Sequence, residues 1–525
     1  MGSISNWILF PTLSDMGLTT SFAPAFILTG GLIAVWIYKT ITDYAKLKNF
    51  KGPRWTGVSN WPHSLAILHN KCHEWYAEVN NKYGPVARVA PRVLITSDPD
   101  IWMRVNNKPG YKRSEWYYSA TRIEYRKDNV FSQTDNAKHD QRRKQMAPGY
   151  SGRENFQLEG AIDDRIQDFI SLIRAKYISS EGQVIPMDMS KKVQYFTLDV
   201  ISSVGLGSTF GMLQSDRDIN HCLSSMEDGL AIANTALAMG FSWITQAPLI
   251  GKLFAVSPKH NTGFGKMMAT CFQIVDKRAA NSADKRSDML ASFMRHGLSG
   301  DELRSEALEQ ILAGSDTTAS GIRGALLLIM SNPRVYIKLQ REIDDAIKDG
   351  VAPKTGEGLI SVTQTKQLPY LQAVIRESLR VLPPVANIFS RDVPPDGDII
   401  NVDGEEVVIP GGVCIGYSAY GMHHSEKIYG KDAKAFRPER WFESDPDRLA
   451  TMLKANDLTF GHGKYRCLGK PVAETEIGKL IFELLRNFDM ALINPTRPWE
   501  VKNYLGLFAI SDMWIQVTER AHKAY

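Results

Sequence analysis

The stretch Phe460-Gly-His-Gly-Lys-Tyr-Arg-Cys-Leu-Gly469 constrains this chain more than any other. A glycine-rich loop delivers one cysteine, Cys467, to the start of a helix. The apolar spacing of Leu480, Ile481 and Leu484 predicts that helix over Pro471 to Phe488. A thiolate in that place receives backbone N–H donors and the positive end of the helix dipole, which lower its pKa and its basicity. A metal-bound thiolate requires such an environment. Gly463 permits a turn that a side chain would block, and Phe460 is placed to shield the sulfur from water. The bland alternative, a buried structural cysteine, is the common fate of a lone Cys.

That spacing resembles the haem-ligand signature of the cytochromes P450, Phe-x-x-Gly-x-Arg-x-Cys-x-Gly. Phe460, Gly463, Cys467 and Gly469 fall on its positions. The resemblance implies a mainly α fold with small β-sheets and haem b (iron protoporphyrin IX) held by the Cys467 thiolate, with Gly469 letting the helix approach the flat macrocycle. One position departs. The family's arginine two residues before the cysteine is Tyr465 here. A phenol can hydrogen-bond a haem propionate but cannot neutralise it, so that charge must be met from elsewhere.

Length alone, 525 residues, would allow three or four domains. No Pro/Ser/Gly-rich linker, charge block or repeat divides the chain after residue 60, so one large helical domain over residues 63–525 fits better. The net charge of +5, from 62 Lys and Arg against 57 Asp and Glu, is too small to indicate a nucleic-acid binder. Five scattered cysteines form no C-x-x-C pair and no disulfide framework. No usable Asn-x-Ser/Thr sequon occurs, and both observations fit a body facing the cytosol.

Residues 22–38 carry no charge, and Trp36 and Tyr38 suit a membrane interface. No Lys or Arg precedes them, whereas Lys39, Lys46, Lys48, Lys51 and Arg54 follow. The positive-inside rule then makes residues 1–21 a short lumenal segment, 22–38 a single transmembrane anchor and 39–62 a basic, Pro-containing tether. A cleaved signal peptide would need a basic n-region and a cleavage site, and neither is present.

Along the body, residues 160–175, 188–205, 216–238 and 262–281 have helical apolar spacing. The longest such run is Glu302 to Met330. Its second half is apolar on nearly every side, which predicts the buried central helix. Strands are expected over 85–96 and 398–418, the latter around an Asp403-Gly404 hairpin turn. Gly205-Leu206-Gly207 with Gly211 lacks the dinucleotide-binding spacing and reads as a helix end; electrons for redox chemistry must therefore come from a partner. His423-His424 has no third ligand nearby and reads as solvated histidines.

Ala313-Gly-Ser-Asp-Thr-Thr318 lies in the middle of the central helix, although Gly, Asp and paired Thr are poor helix formers. A local opening there would make a polar notch in an apolar wall. The segment resembles the P450 oxygen-activation motif. The resemblance implies that Thr317 holds dioxygen and its proton-donating water, that Asp316 feeds protons from bulk solvent, and that Ala313 and Gly314 leave room for dioxygen and substrate. Glu377 and Arg380 share a helix face, and Phe436-Arg-Pro-Glu-Arg-Trp441 follows. These resemble the family's Glu-x-x-Arg and Pro-Glu-Arg-Phe elements, which implies a buried structural triad of Glu377, Arg380 and Arg440. His139, Arg143 and Arg391 fall at positions where the family binds haem propionates. Arg142 and Lys144 read as a solvated basic face.

The motifs stand in the family's order from about residue 60 to the C-terminus. They imply a microsomal (class II) monooxygenase, single-pass in the endoplasmic reticulum membrane with its catalytic domain cytosolic. NADPH-cytochrome P450 reductase would supply electrons, with cytochrome b5 as a second donor. The Cys-loop variant, with Tyr429-Gly-Lys-Asp-Ala433 before Phe436, looks like filamentous-fungal enzymes related to pisatin demethylase, many of which act in secondary metabolism. Two alternatives are an isomerase or dehydratase of the same fold, separated by NADPH dependence, and a membrane-tethered haem sensor or electron carrier, separated by substrate-induced dioxygen consumption. The substrate pocket is expected from Trp116–Tyr118, Leu213–Gln246, Gln310–Thr317, Val385–Ile388 and Leu505–Phe508. These segments suit an apolar neutral molecule such as a terpenoid, polyketide or aromatic alkaloid.

Overall fold

The computed structural model describes residues 18–281, 286–354 and 356–521, with side chains from residue 27 onward. Of the expected lumenal segment, residues 1–17 lie outside these. From the N-terminus, the helices that matter for the site are α1 (Leu18–Lys46), α2 (Asn136–Tyr150), α3 (Met189–Leu206), α4 (Gly300–Met330), α5 (Pro369–Val381) and α6 (Lys470–Asn487).

A helix that is apolar on every side is stable only when protein surrounds it. In α4, Leu303, Ala307, Leu308, Ile311, Ala319, Ile322 and Leu326 have no exposure. α4 packs most extensively along α3, and also against α5 and α6. Two glycines allow the α3 contact. A Cβ on Gly314 would lie 2.8 Å from Ile201 Cδ1, and one on Gly205 would lie 2.9 Å from Gln310 Nε2. The room at Gly314 is therefore filled by α3, not kept free for dioxygen as the motif implied. Gly207, with φ +69°, ends α3 as a helix terminus should. The helix expected over 216–238 is α-helical only over Cys222–Ala238, because Asp216, Asn220 and His221 take left-handed φ values ahead of it.

The strands form small sheets at the edge of the helical body. Val86–Ala90, Val93–Thr96, Cys414–Tyr417, Ile388–Asp392 and Lys112–Arg113 lie side by side in that order. Asp398–Val402 and Glu405–Ile409 pair around Asp403 and Gly404, whose φ values of 52° and 95° are those of a two-residue hairpin turn. Near the C-terminus, Trp514–Glu519 lies between Met187–Asp188 and Phe488–Leu492.

Residues 22–38, expected to span a membrane, lie within α1, and the apolar side chains of Ile27, Leu28, Leu32 and Trp36 are well exposed. Even so, no helix among the described residues is long and apolar enough to cross a membrane. The charge-free run is at the short end of what a bilayer core needs, and α1 continues through Lys39, Asp43 and Lys46.

Charges inside the body are mostly paired. Glu377 on α5 is fully buried and accepts from Arg380 Nε at 2.9 Å and Nη2 at 2.8 Å, Arg440 Nε at 2.8 Å, Arg437 N at 2.9 Å and Trp441 Nε1 at 3.1 Å. His423, expected in solvent, is instead fully buried. Its carbonyl accepts from Arg380 Nη1 at 2.7 Å, and burial lowers its pKa to about 3; His424 beside it is lowered to about 4. Both are therefore neutral packing groups. Arg142 likewise leaves the expected solvated face to pair with Glu302 at 2.7 Å and with the buried Glu306, whereas Lys144 is exposed.

Removing the carboxylate that the two buried guanidiniums share is costly, although Asp432 also lies 3.4 Å from Arg440 Nη1. Glu377→Gln is expected to destabilise the fold by about 3–5 kcal/mol. Urea denaturation followed by far-UV circular dichroism checks this, and an unchanged midpoint would contradict it.

Candidate functional site

The cysteine loop is shaped by two left-handed glycines. Gly461 and Gly463 have φ values of +73° and +59°, and a Cβ on Gly463 would lie 2.5 Å from Asn107 Oδ1. The Cys467 N–H donates to the Phe460 carbonyl at 2.8 Å, closing the loop. Gly469 precedes the first residue of α6, Pro471 stands in its first turn, and the N–H groups of Gly469 and Lys470 donate to the Cys467 sulfur. The Lys470 ammonium lies 5.2 Å from the centre of the Phe460 ring.

Cys467 is exposed while the other four cysteines are buried. Its thiol pKa is nevertheless raised, with burial the largest cause, opposed by the two N–H donors, Arg143 and Lys470. Accessible surface and strong desolvation coexist when a group faces an internal cavity, and that is how we read this thiol. The lowering expected from the helix terminus is thus outweighed by burial. A coordinated metal ion deprotonates a thiol outright.

Ala313 has the same signature. It is exposed in the middle of an otherwise buried helix, and Thr317, one turn further on, is partly exposed. The helix is not opened here, contrary to the expectation. α4 runs unbroken, and the Thr317 hydroxyl donates to the Ala313 carbonyl at 2.8 Å, the i−4 bond that holds it against the helix. Asp316 accepts from Gln194 Nε2 of α3, and Gln194 Oε1 in turn accepts from Arg323 Nη2 at 2.7 Å. Burial raises the Asp316 pKa, with Arg323 opposing. Its carboxyl is therefore tied into the α3–α4 contact.

A third group of residues is held by strand register. Lys112–Arg113 pairs antiparallel with Ile388–Asp392 so that Arg113 lies opposite Arg391. The Tyr465 ring stands between them, 4.8 Å from the Arg113 guanidinium and 4.2 Å from that of Arg391, with the His139 ring at 5.0 Å. The Tyr465 hydroxyl donates to Asn136 Oδ1 at 2.6 Å and is therefore already committed. Arg113 bonds the Val130 carbonyl, and Arg391 bonds the Tyr118 hydroxyl and the Phe389 carbonyl, both at 2.6 Å. Both buried Nε atoms lack a partner. Among the described residues, no carboxylate forms an ion pair with Arg113, Arg143 or Arg391. Burial lowers the pKa of Arg113 and Arg143, and that of His139 to about 4. Buried charge is stable only when paired, so this group fits a ligand carrying two carboxylates, as haem does. The sequence reasoning missed Arg113. It carries no motif, and only the register places it against Arg391.

Ile388 and Phe389, just before Arg391, have φ values of 72° and 41°, beside an irregularity in strand pairing. A β-branched residue in that region is strained, and such strain concentrates at functional sites. Ile388 belongs to an apolar cluster with Tyr117, Tyr118, Leu237 and Leu505, so four of the five expected pocket segments contribute to one wall or lie beside it. Leu213 sits in the main core instead, and Gln310 faces α3. A separate surface cleft of about 550 Å³ is lined by Trp243 and Gln246, the end of the expected 213–246 segment, but by none of Cys467, Ala313, Thr317, Arg113, Arg143 or Arg391.

Comparison with known proteins agrees with this geometry. Residues 51–512 match the family model Cytochrome P450. The chain is 38% identical to cytochrome P450 monooxygenase ABA1 of Pyricularia oryzae, over 91% of this chain and 94% of that protein. It is 35% identical to cytochrome P450 monooxygenase aba1 of Botryotinia fuckeliana, over 85% and 87%. It is 31% identical to cytochrome P450 monooxygenase abl1 of Leptosphaeria maculans, over 91% and 84%. This chain belongs to the cytochrome P450 family of haem-thiolate oxidoreductases.

Proposed function

We propose that this chain is a fungal secondary-metabolism monooxygenase that inserts one atom of dioxygen into an apolar small molecule, with electrons from NADPH-cytochrome P450 reductase. One observation carries the reading: an accessible thiol at a helix N-terminus, in the same interior as three guanidiniums that no carboxylate pairs among the described residues. Cys467 would ligate the iron. Arg113, Arg143 and Arg391 would meet the propionate charge that Tyr465 does not, with His139 packed beside them. Phe460, Gly463 and Gly469 shape the thiolate side, and Ala313 leaves space opposite it. When bound, the haem supplies activation of dioxygen and transfer of one of its atoms.

The remaining work falls to side chains of α4. The Thr317 hydroxyl, held on the Ala313 carbonyl, has its lone pairs free to orient a water in the cavity. Asp316 would hold a proton at its carboxyl and release it toward that water when its bond to Gln194 breaks. The apolar wall around Ile388 excludes bulk water. The lack of a dinucleotide motif supports an external reductase. We also propose that residues 22–38 anchor the chain in the endoplasmic reticulum membrane with the catalytic domain in the cytosol. The exposed apolar side chains of α1 and the basic residues after it support that reading.

Cys467→Ser is expected to abolish the absorbance band that the reduced protein gives with carbon monoxide, because a neutral hydroxyl cannot replace the anionic sulfur. A protein that kept the band would end the haem-thiolate assignment of this residue. Thr317→Ala is expected to retain haem but to form product slowly, with most reducing equivalents recovered as hydrogen peroxide. Product formed per NADPH consumed measures this, and unchanged coupling would remove Thr317 from proton delivery. Removing residues 1–38 is expected to release much of the protein from membranes without changing the haem spectrum. Full retention in the membrane fraction would argue against the anchor.

A further inference from the structure

One side chain at the cavity's edge has no place in the mechanism above. Glu302, Glu306, Glu309, Ala313 and Thr317 follow one another at helical spacing along a single face of α4. Glu302 is exposed, Glu306 is paired with Arg142, and Ala313 and Thr317 have the accessible surface ascribed above to the internal cavity. Between them stands Glu309, 8% exposed. Its Oε2 accepts from Asn129 Nδ2 at 3.0 Å, and the structure gives it no other hydrogen bond.

Asn129 is itself fixed: its Oδ1 accepts from Phe131 N at 2.9 Å and Ser132 N at 2.8 Å, leaving one amide N–H uncommitted. Phe131 packs edge-on against Tyr118 and Phe389, at 5.5 and 5.6 Å between ring centres. The Glu309–Asn129 pair therefore borders the apolar wall expected to hold substrate. Burial, with Glu306 adding to it, pushes the Glu309 carboxyl up to about 8, so near neutral pH it carries a proton. Arg113, buried and with its Nε unpartnered, lies close enough to act on Glu309 electrostatically. The free groups here are donors or cationic.

We propose that Glu309 and Asn129 form the polar recognition point of the substrate cavity and bind an oxygen acceptor, a carbonyl or hydroxyl, on an otherwise apolar molecule. This rests on the monooxygenase reading and adds to it the end by which the substrate is held. A cationic amine is the alternative ligand of a buried acid, and the neighbouring Arg113 opposes it.

The test uses the full-length holoenzyme and three probes of matched shape: 2-acetylnaphthalene, 2-ethylnaphthalene and 2-(dimethylaminomethyl)naphthalene. Dissociation constants come from the ligand-induced shift of the haem absorbance. The wild type is expected to bind the ketone about tenfold more tightly than the hydrocarbon, the size of one hydrogen bond in an apolar site. Glu309→Gln, which keeps a donor, should preserve most of that preference, and Glu309→Leu should abolish it. Equal affinities in the wild type, or a preference that survives in Glu309→Leu, would overturn the proposal. So would an amine preference lost in both variants, which would mark a cation site. If Glu309→Leu fails to fold, infrared difference spectra of the wild type decide. The protonated-carboxyl band that Glu309→Gln lacks should shift with the ketone and not with the hydrocarbon; no shift overturns the proposal. A wild type without the carbon monoxide band would instead defeat the haem reading itself.

Discussion

Glu377 accepts five hydrogen bonds in complete isolation from solvent, and much of the site's support passes through it. Arg380 and Arg440 each bind this carboxylate and then reach on to backbone carbonyls, Arg380 to His423 and Ala433, Arg440 to Tyr429 and Asp432. One carboxylate thereby pins the chain from His423 to Arg440, within which residues 430–437 have no helix or strand to hold their backbone groups. Buried carbonyls need donors, and here two guanidiniums supply them. The cost of burying two cations is offset by the carboxylate at their centre, with Asp432 assisting at Arg440.

The same chemistry is left incomplete at the other cluster. Arg113, Arg143 and Arg391 are buried or half-buried and have no acid partner among the described residues; Arg113 and Arg391 bond only neutral groups. The contrast separates the two roles. Charge that the protein neutralises itself stiffens the fold, whereas charge that it leaves unmatched awaits a ligand. Tyr465 fits between Arg113 and Arg391 because a phenol ring accepts cations over its face without adding another guanidinium to a crowded point. The family's usual arginine at this position would have repelled two neighbours that the strand register already provides.

α4 joins the two halves of the site. Adjacent residues on a helix face directions about 100° apart, so Gly314 closes the contact with Ile201 while Ala313 keeps the cavity side clear. Asp316 belongs to the α3 side and Thr317 to the cavity side. A short motif therefore serves packing and chemistry together, which is why poor helix formers persist in a buried helix that nonetheless stays regular.

Much of this was legible in the sequence, where the signal is local. Glycines at fixed offsets from Cys467, apolar periodicity along α4 and the Asp403-Gly404 turn each act through near neighbours in the chain, so the loop, the central helix and the hairpin could be read directly. The resemblance to the family's Glu-x-x-Arg and Pro-Glu-Arg-Phe elements marked Glu377, Arg380 and Arg440, and the fold brings both arginines within 3 Å of the Glu377 carboxylate. What only the tertiary structure decided depends on contacts between distant segments. Strand register set Arg113 opposite Arg391, the α3–α4 approach claimed Gly314, and packing beneath Arg380 buried His423. The position of Glu306 drew Arg142 inward, and desolvation outweighed the helix terminus at Cys467. Each of these is settled by which groups surround a side chain, and a linear chain does not specify its surroundings until it has folded.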